Sequence, residues 1–162
     1  MLISAVYLWQ VVLAIHVVFV VAAFGLLLVH PFIVLAAERH DRRAVPAVLR
    51  ARRLLGRSLV NPGLFMVVIA GVYLAAYEHQ WSRFYVQWGI AAALVIGGLE
   101  GAVVIRQLGR LADLAERDIA ASAPGAEVTW SGEYLTARGR AEQVSALLGV
   151  IVVVTVFLMV VK

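Results

Sequence analysis

The sequence predicts an all-α protein built as a four-transmembrane-helix bundle, and three observations point to it. The 162 residues are 63% hydrophobic and only 15% charged, with a mean hydropathy of +0.92. Soluble domains are usually about 45–50% apolar and about 25% charged. The apolar excess is gathered in four blocks, residues 2–37, 59–77, 84–105 and 144–161. A helix rises about 1.5 Å per residue, so roughly 20 residues cross a hydrocarbon layer about 30 Å thick. Each block is near or above that length.

The third observation is where the charge sits. Arg39, Arg42, Arg43, Arg50, Arg52, Arg53 and Arg57 lie between the first two blocks, and Arg106, Arg110, Arg117, Arg138 and Arg140 between the last two. Four spans put both segments on one side. Only Arg83 and Lys162 fall on the other side. An excess of Lys and Arg marks the cytoplasmic side, so both termini are expected outside. This pattern also accounts for the pI near 10.0 without a nucleic-acid partner. The expected spans are about 4–35, 60–78, 84–106 and 142–161, in a single domain. The expected cytoplasmic segments are 38–58 and 107–141. No Lys or Arg precedes the first block, and its length exceeds the apolar core of a cleaved leader, so it is read as a span.

Taken in order, span one is overlong, with Tyr7 and Trp9 suited to the outer interface. Pro31 lacks a backbone donor and is expected to bend it near the cytoplasmic boundary. "AVPAVLRARRLLGRSLV" then reads as a short interfacial helix. Its Val45, Val48, Leu49, Leu55 and Leu59 would face lipid while Arg50, Arg52, Arg53 and Arg57 reach headgroup phosphates. In "NPG", Asn61 is an expected N-cap and Pro62 an expected first helical residue of span two. Span three carries Gly89, Ala93, Gly97 and Gly101 at every fourth position, a stripe that lets another helix approach closely, within the bundle or between protomers. Its helix should continue inward through Ile105, Leu108, Leu111, Leu114 and Ala115, with Asp113 and Arg117 as an i,i+4 pair. "SAPGAEVTWSG" breaks it. Ser131 can cap the fourth helix, so helices three and four extend into the cytoplasm as a hairpin.

Two ionisable residues stand inside the spans, His16 and Glu100. Such groups are expensive in lipid and face partners. Measured from Trp9 and Trp88, they lie about 10 Å and about 18 Å deep, which allows contact if helices one and three are neighbours. His16 reads as a neutral ring bonded to a backbone carbonyl or to Glu100, as an axial haem ligand, or as a proton-relay or ion-binding group. His30 lies about 21 Å further along the same helix, so the two rings cannot ligate one metal. His30, His40 and His79 read as interfacial residues. Cysteine is absent, which removes disulfide frameworks and thiolate sites. No GxSxG, HExxH or Walker pattern occurs.

The stretches "AIHVVFVVAAFGLLL", "NPGLFMVVIAGVYLA" and "FLMVVK" resemble a bacterial predicted integral membrane protein family classed as a domain of unknown function. The resemblance covers most of the chain and implies the bacterial inner membrane. The opening is also similar to two other four-span families, the membrane protoporphyrinogen oxidases and the copper-resistance membrane proteins. The first of these implies haem b on a span-one histidine, by position His16. Its span-one and span-three lysines have no counterpart here, where "LWQVVLAIH" has no Lys and span three has Glu100. A copper route is opposed by the missing Cys, few Met and wide His spacing.

The leading expectation is a non-enzymatic, helix-packed membrane protein or accessory subunit. Its partners would be the bilayer and further copies of itself or a membrane subunit, met through the Gly/Ala stripe. The alternatives are a haem-binding or haem-handling protein using His16, and a small transporter or channel using Glu100.

Overall fold

The computed structural model describes residues 7–161, and the expected start of span one near residue 4 lies outside them. The described residues form helices and turns with no strand. The helices are α1 (Leu8–His40), α2 (Val45–Leu55), α3 (Asn61–Tyr77), α4 (Phe84–Leu99), α5 (Ile105–Ala121) and α6 (Gly132–Val161). A π-helical turn, Gly56–Val60, joins α2 to α3, and a second, Glu100–Val104, joins α4 to α5. The result is four continuous rods, each long and apolar enough to cross a membrane.

The 33 residues of α1 run through Pro31 without ending, a length of about 50 Å. Its first half, residues 8–21, contains no buried side chain. Ala23, Phe24, Leu27, His30 and Glu38 are buried further along. The core therefore sits in the arginine-rich half of the molecule. There Val45, Leu49, Val60, Leu64, Ile96, Leu108, Leu111, Tyr134 and Leu148 join one cluster with the inner half of α1.

The basic segment after span one is helical as expected, and it runs on into span two. Backbone angles stay helical from Leu55 through Asn61, so α2 runs directly into α3. Val45 and Leu49, expected to face lipid, are buried, and α2 packs mainly on α5. The physical reason is that α5 is strongly amphipathic and its apolar face needs a cover. Leu55 and Leu59 remain exposed.

Asn61 is likewise not an N-cap, because it lies inside the continuous helix and its N–H donates to the Gly56 carbonyl. The next residue explains the local geometry. Pro62 cannot bond the carbonyl four residues back, and its ring clashes there. A π turn opens the helix at that point.

The small-residue stripe is occupied within the chain. A Cβ on Gly89 would collide with Met159 of α6, and one on Gly97 would lie 3.9 Å from Leu64 of α3. On Gly101 it would lie 3.4 Å from Asn61. Ala93 is buried. Trp88 adds a hydrogen bond to Thr155 at 3.1 Å. The stripe is thus where α4 meets α3 and α6 of the same chain.

The expected Asp113–Arg117 pair does not form. Arg117 turns across to Glu133 of α6 at 3.0 Å, and Asp113 faces Arg50 at 3.7 Å. Ser131 does cap α6, its Oγ accepting from the Tyr134 N–H at 3.2 Å. The connection before it is tied to the first connection. Arg42 donates to the Val128 carbonyl at 2.6 Å, and Arg43 to those of Ala123 and Ala126 at 3.2 and 3.3 Å. Basic residues of one connection are thereby the anchors of the other.

Candidate functional site: a buried ion pair between two π turns

Arg52 and Glu100, far apart in the chain, meet in the buried core, with Asn61 beside Gly101, the residue after Glu100. Arg52 comes from α2 and Glu100 opens the second π turn. Asn61 opens α3, and His30 sits on α1 beside Pro31. Glu100 is fully buried and Arg52 is 3% exposed, and their side chains form an ion pair through Nη2 and Oε1. His30 is also buried.

The backbone is shaped around this pair. Each π turn closes with a bond five residues long, Asn61 N–H to Gly56 O and Ile105 N–H to Glu100 O. Such turns reorient side chains and are frequent at functional positions. Gly56 lies against both charges. A Cβ there would stand 2.8 Å from Arg52 Nη1 and 3.0 Å from Glu100 Oε1. The missing side chain is what lets the guanidinium and carboxylate meet beside the helix. Arg52 Nε and Nη1, Glu100 Oε2 and Asn61 Oδ1 are buried without a hydrogen-bond partner. Chemically, the cluster is an ion pair with spare donors and acceptors in a low-dielectric setting, where an uncompensated charge is strongly disfavoured.

His16 is elsewhere. Its Nδ1 lies 3.0 Å from the Val67 carbonyl of α3, and Gly71 faces the ring, a Cβ there being 3.3 Å from Cε1. In the tautomer whose Nδ1–H donates to Val67, Nε2 keeps its lone pair. The structure therefore does not bring His16 and Glu100 together. Each has found a nearer partner, a backbone carbonyl for the ring and Arg52 for the carboxylate.

Of the four arginines expected at headgroups, Arg57 alone is exposed and makes no ion pair or hydrogen bond among the described residues. Arg50 bridges to Glu116 at 2.5 Å and to Asp113. Arg53 lies flat on Gly109, where a Cβ would be 2.9 Å from its Nη1. Arg52 is buried. The arginines whose Cα faces α5 are drawn into that interface because α5 offers acids and a glycine there. His30, expected at the interface, is buried too, whereas His40 and His79 are exposed.

A second polar cluster escaped the sequence. Glu38, buried at the end of α1, accepts from the Tyr134 hydroxyl at 2.9 Å and pairs with Arg138 at 2.8 Å. Trp130 stacks on Tyr134 with ring centroids 4.4 Å apart. In the sequence Glu38 looks like one more charge of "ERHDRR". Glu100 was legible as an ionisable residue inside a span, and the further signal was a glycine beside each charge, Gly56 one turn from Arg52 and Gly101 next to Glu100.

No protein-family model, no curated protein and no solved structure matches this chain.

Proposed function

We propose that this chain is an integral protein of a bacterial cytoplasmic membrane, with both termini outside and the far end of α5 and first turns of α6 in the cytoplasm. It works as a helical bundle without side-chain chemistry of its own, as a small membrane protein or accessory subunit that joins copies of itself or a membrane partner. The observation that carries this reading is that the polar groups within the apolar layer are engaged internally, Glu100 by Arg52 and His16 by Val67. The partner-facing surface moves from the glycine stripe to the first half of α1, where residues 8–21 bury no side chain. In native mass spectrometry from mild detergent, the expected species is a homo-oligomer or a complex with a second subunit. Substituting Val17 and Val21 by Trp should dissociate it. A monomer with no associated subunit, extracted under conditions that preserve other membrane complexes, would overturn the reading.

A second reading is favoured by the geometry of His16. Histidine ligands to metals commonly donate their other ring N–H to a carbonyl, and the His16–Val67 contact has that form. The residues present fit one axial ligand to a haem b. His30 does not supply a second, since it lies about 21 Å further along α1. Haem bound there would bring redox or haem-handling chemistry. This reading expects a Soret band in the purified protein that His16→Ala abolishes. Protein that stays colourless after incubation with haem would end it.

A further inference from the structure

Beyond that reading, and resting on it for the membrane setting, we propose that the cleft between α5 and α6 binds the headgroup of an anionic phospholipid bearing hydroxyl groups, phosphatidylglycerol in chemical class. The cleft has a volume of about 460 Å³ and is lined by Gln107, Arg110, Glu133, Thr136 and Arg140 among others. Its level matches a headgroup. Gln107 stands about 3 Å beyond the apolar run that ends at Ile105, and Arg140 about 6 Å before the one that begins at Val144. Basic pockets between transmembrane helices on the cytoplasmic side are suited to phospholipid headgroups.

The side chains define the ligand's chemistry. Arg140 makes no ion pair or hydrogen bond among the described residues. Arg110 shares Glu133 with Arg117, through Oε1 at 3.2 Å and Oε2 at 3.0 Å respectively. Both oxygens of the lining's single carboxylate are thus occupied, and the two lining arginines outnumber it, while Arg117, outside the lining, is also balanced by Asp118 at 3.6 Å. An anion is favoured, and a phosphate can take Arg140 and the remaining donors of Arg110. A zwitterionic headgroup is disfavoured because no free carboxylate remains for its ammonium. Two acceptors complete the site. Gln107 Oε1 is buried and unpartnered, and Thr136 Oγ1, having donated its proton to the Gly132 carbonyl at 2.8 Å, can only accept. These oxygens suit the hydroxyls of a glycerol headgroup.

The test uses the full chain in neutral detergent, with phosphatidylglycerol, phosphatidylethanolamine, phosphatidylcholine or inorganic phosphate added separately. Phosphatidylglycerol is expected to raise the thermal midpoint and to persist as an adduct in native mass spectra. The other two lipids and phosphate alone should give no comparable shift. Arg140→Ala should lower apparent affinity for phosphatidylglycerol about tenfold while leaving the lipid-free midpoint unchanged, since Arg140 holds nothing within the chain. Gln107→Leu, which keeps every arginine, should weaken it less. Equal stabilisation of wild type and Arg140→Ala overturns the proposal. An equal response to phosphatidylcholine or phosphatidylethanolamine overturns it as well, and a full response to inorganic phosphate alone overturns the lipid as the source. A monomeric protein in native mass spectrometry would refute the partner reading and leave this result untouched.

Discussion

Replacing Arg52 by Met should destabilise the bundle by about 3–5 kcal/mol, the usual penalty for stranding one member of a buried ion pair. The upper part of that range is expected because Glu100 has no exposed surface through which water can replace the guanidinium. Glu100→Met should be comparably damaging. It leaves Arg52, 3% exposed, with Nε and Nη1 already unpartnered. The double variant Arg52→Met, Glu100→Met fills the same space with flexible apolar side chains and buries no charge. It should recover most of the loss, since a well-packed apolar substitute for a buried pair is often neutral or better. Reversible unfolding in mixed micelles, read by tryptophan fluorescence for wild type, both single variants and the double, yields the coupling directly. The expected coupling is about 3 kcal/mol or more. Additive effects within about 0.5 kcal/mol, the behaviour of independent sites, would refute the view that these two side chains form one unit.

Four further outcomes follow from the packing. Gly56→Ala should cost about 1–3 kcal/mol in the same assay, since its methyl would press on both Arg52 and Glu100 and overpacking a filled site carries that penalty. Gly89→Ala should be nearly neutral, because the obstacle there is the unbranched end of Met159, which can swing aside. At Gly97, Ala should be tolerated, as Leu64 lies 3.9 Å from the new Cβ, whereas Leu should part α3 from α4 and lower the thermal midpoint by several degrees, an overpacking effect of about 1–3 kcal/mol. Tyr134→Phe should cost about 1.5–3 kcal/mol by removing a hydrogen bond to a charged acceptor, Glu38. No change in that variant's unfolding midpoint would remove the Glu38 cluster from the list of stabilising contacts.

The four apolar rods were legible because hydrocarbon length is a blunt requirement that composition alone satisfies. The end of α5 and the Ser131 cap were legible for a local reason, since amphipathic period and capping chemistry act within a few residues. Partner choice was not. Glu100 announced its own cost, yet Arg52 is one of several arginines in a basic run, and nothing in the run marks the one that turns inward. The marker is structural: a π turn at Gly56 rotates α2 so that Arg52 faces the second π turn. "NPG" misled for a related reason. It carries the chemistry of a helix start, but where the preceding turn is π-helical a proline can sit in mid-rod, and Asn61 then lies inside the helix against Gly101. The stripe of small residues declared a close approach without saying to what, and α3 and α6 of the same chain answered. Of the two partners expected for a neutral His16, a backbone carbonyl and Glu100, the carbonyl of Val67 is the one it meets.

The central claim is four membrane crossings with both arginine-rich connections on one side. Because the chain has no cysteine, single cysteines placed at the exposed positions Ala47, Ala123 and Ser82 can be labelled with a membrane-impermeant thiol reagent in intact cells and in inverted vesicles. Ala47→Cys and Ala123→Cys are predicted to react only in inverted vesicles and Ser82→Cys only in cells. Labelling of Ala47→Cys and Ala123→Cys from opposite faces would contradict the account.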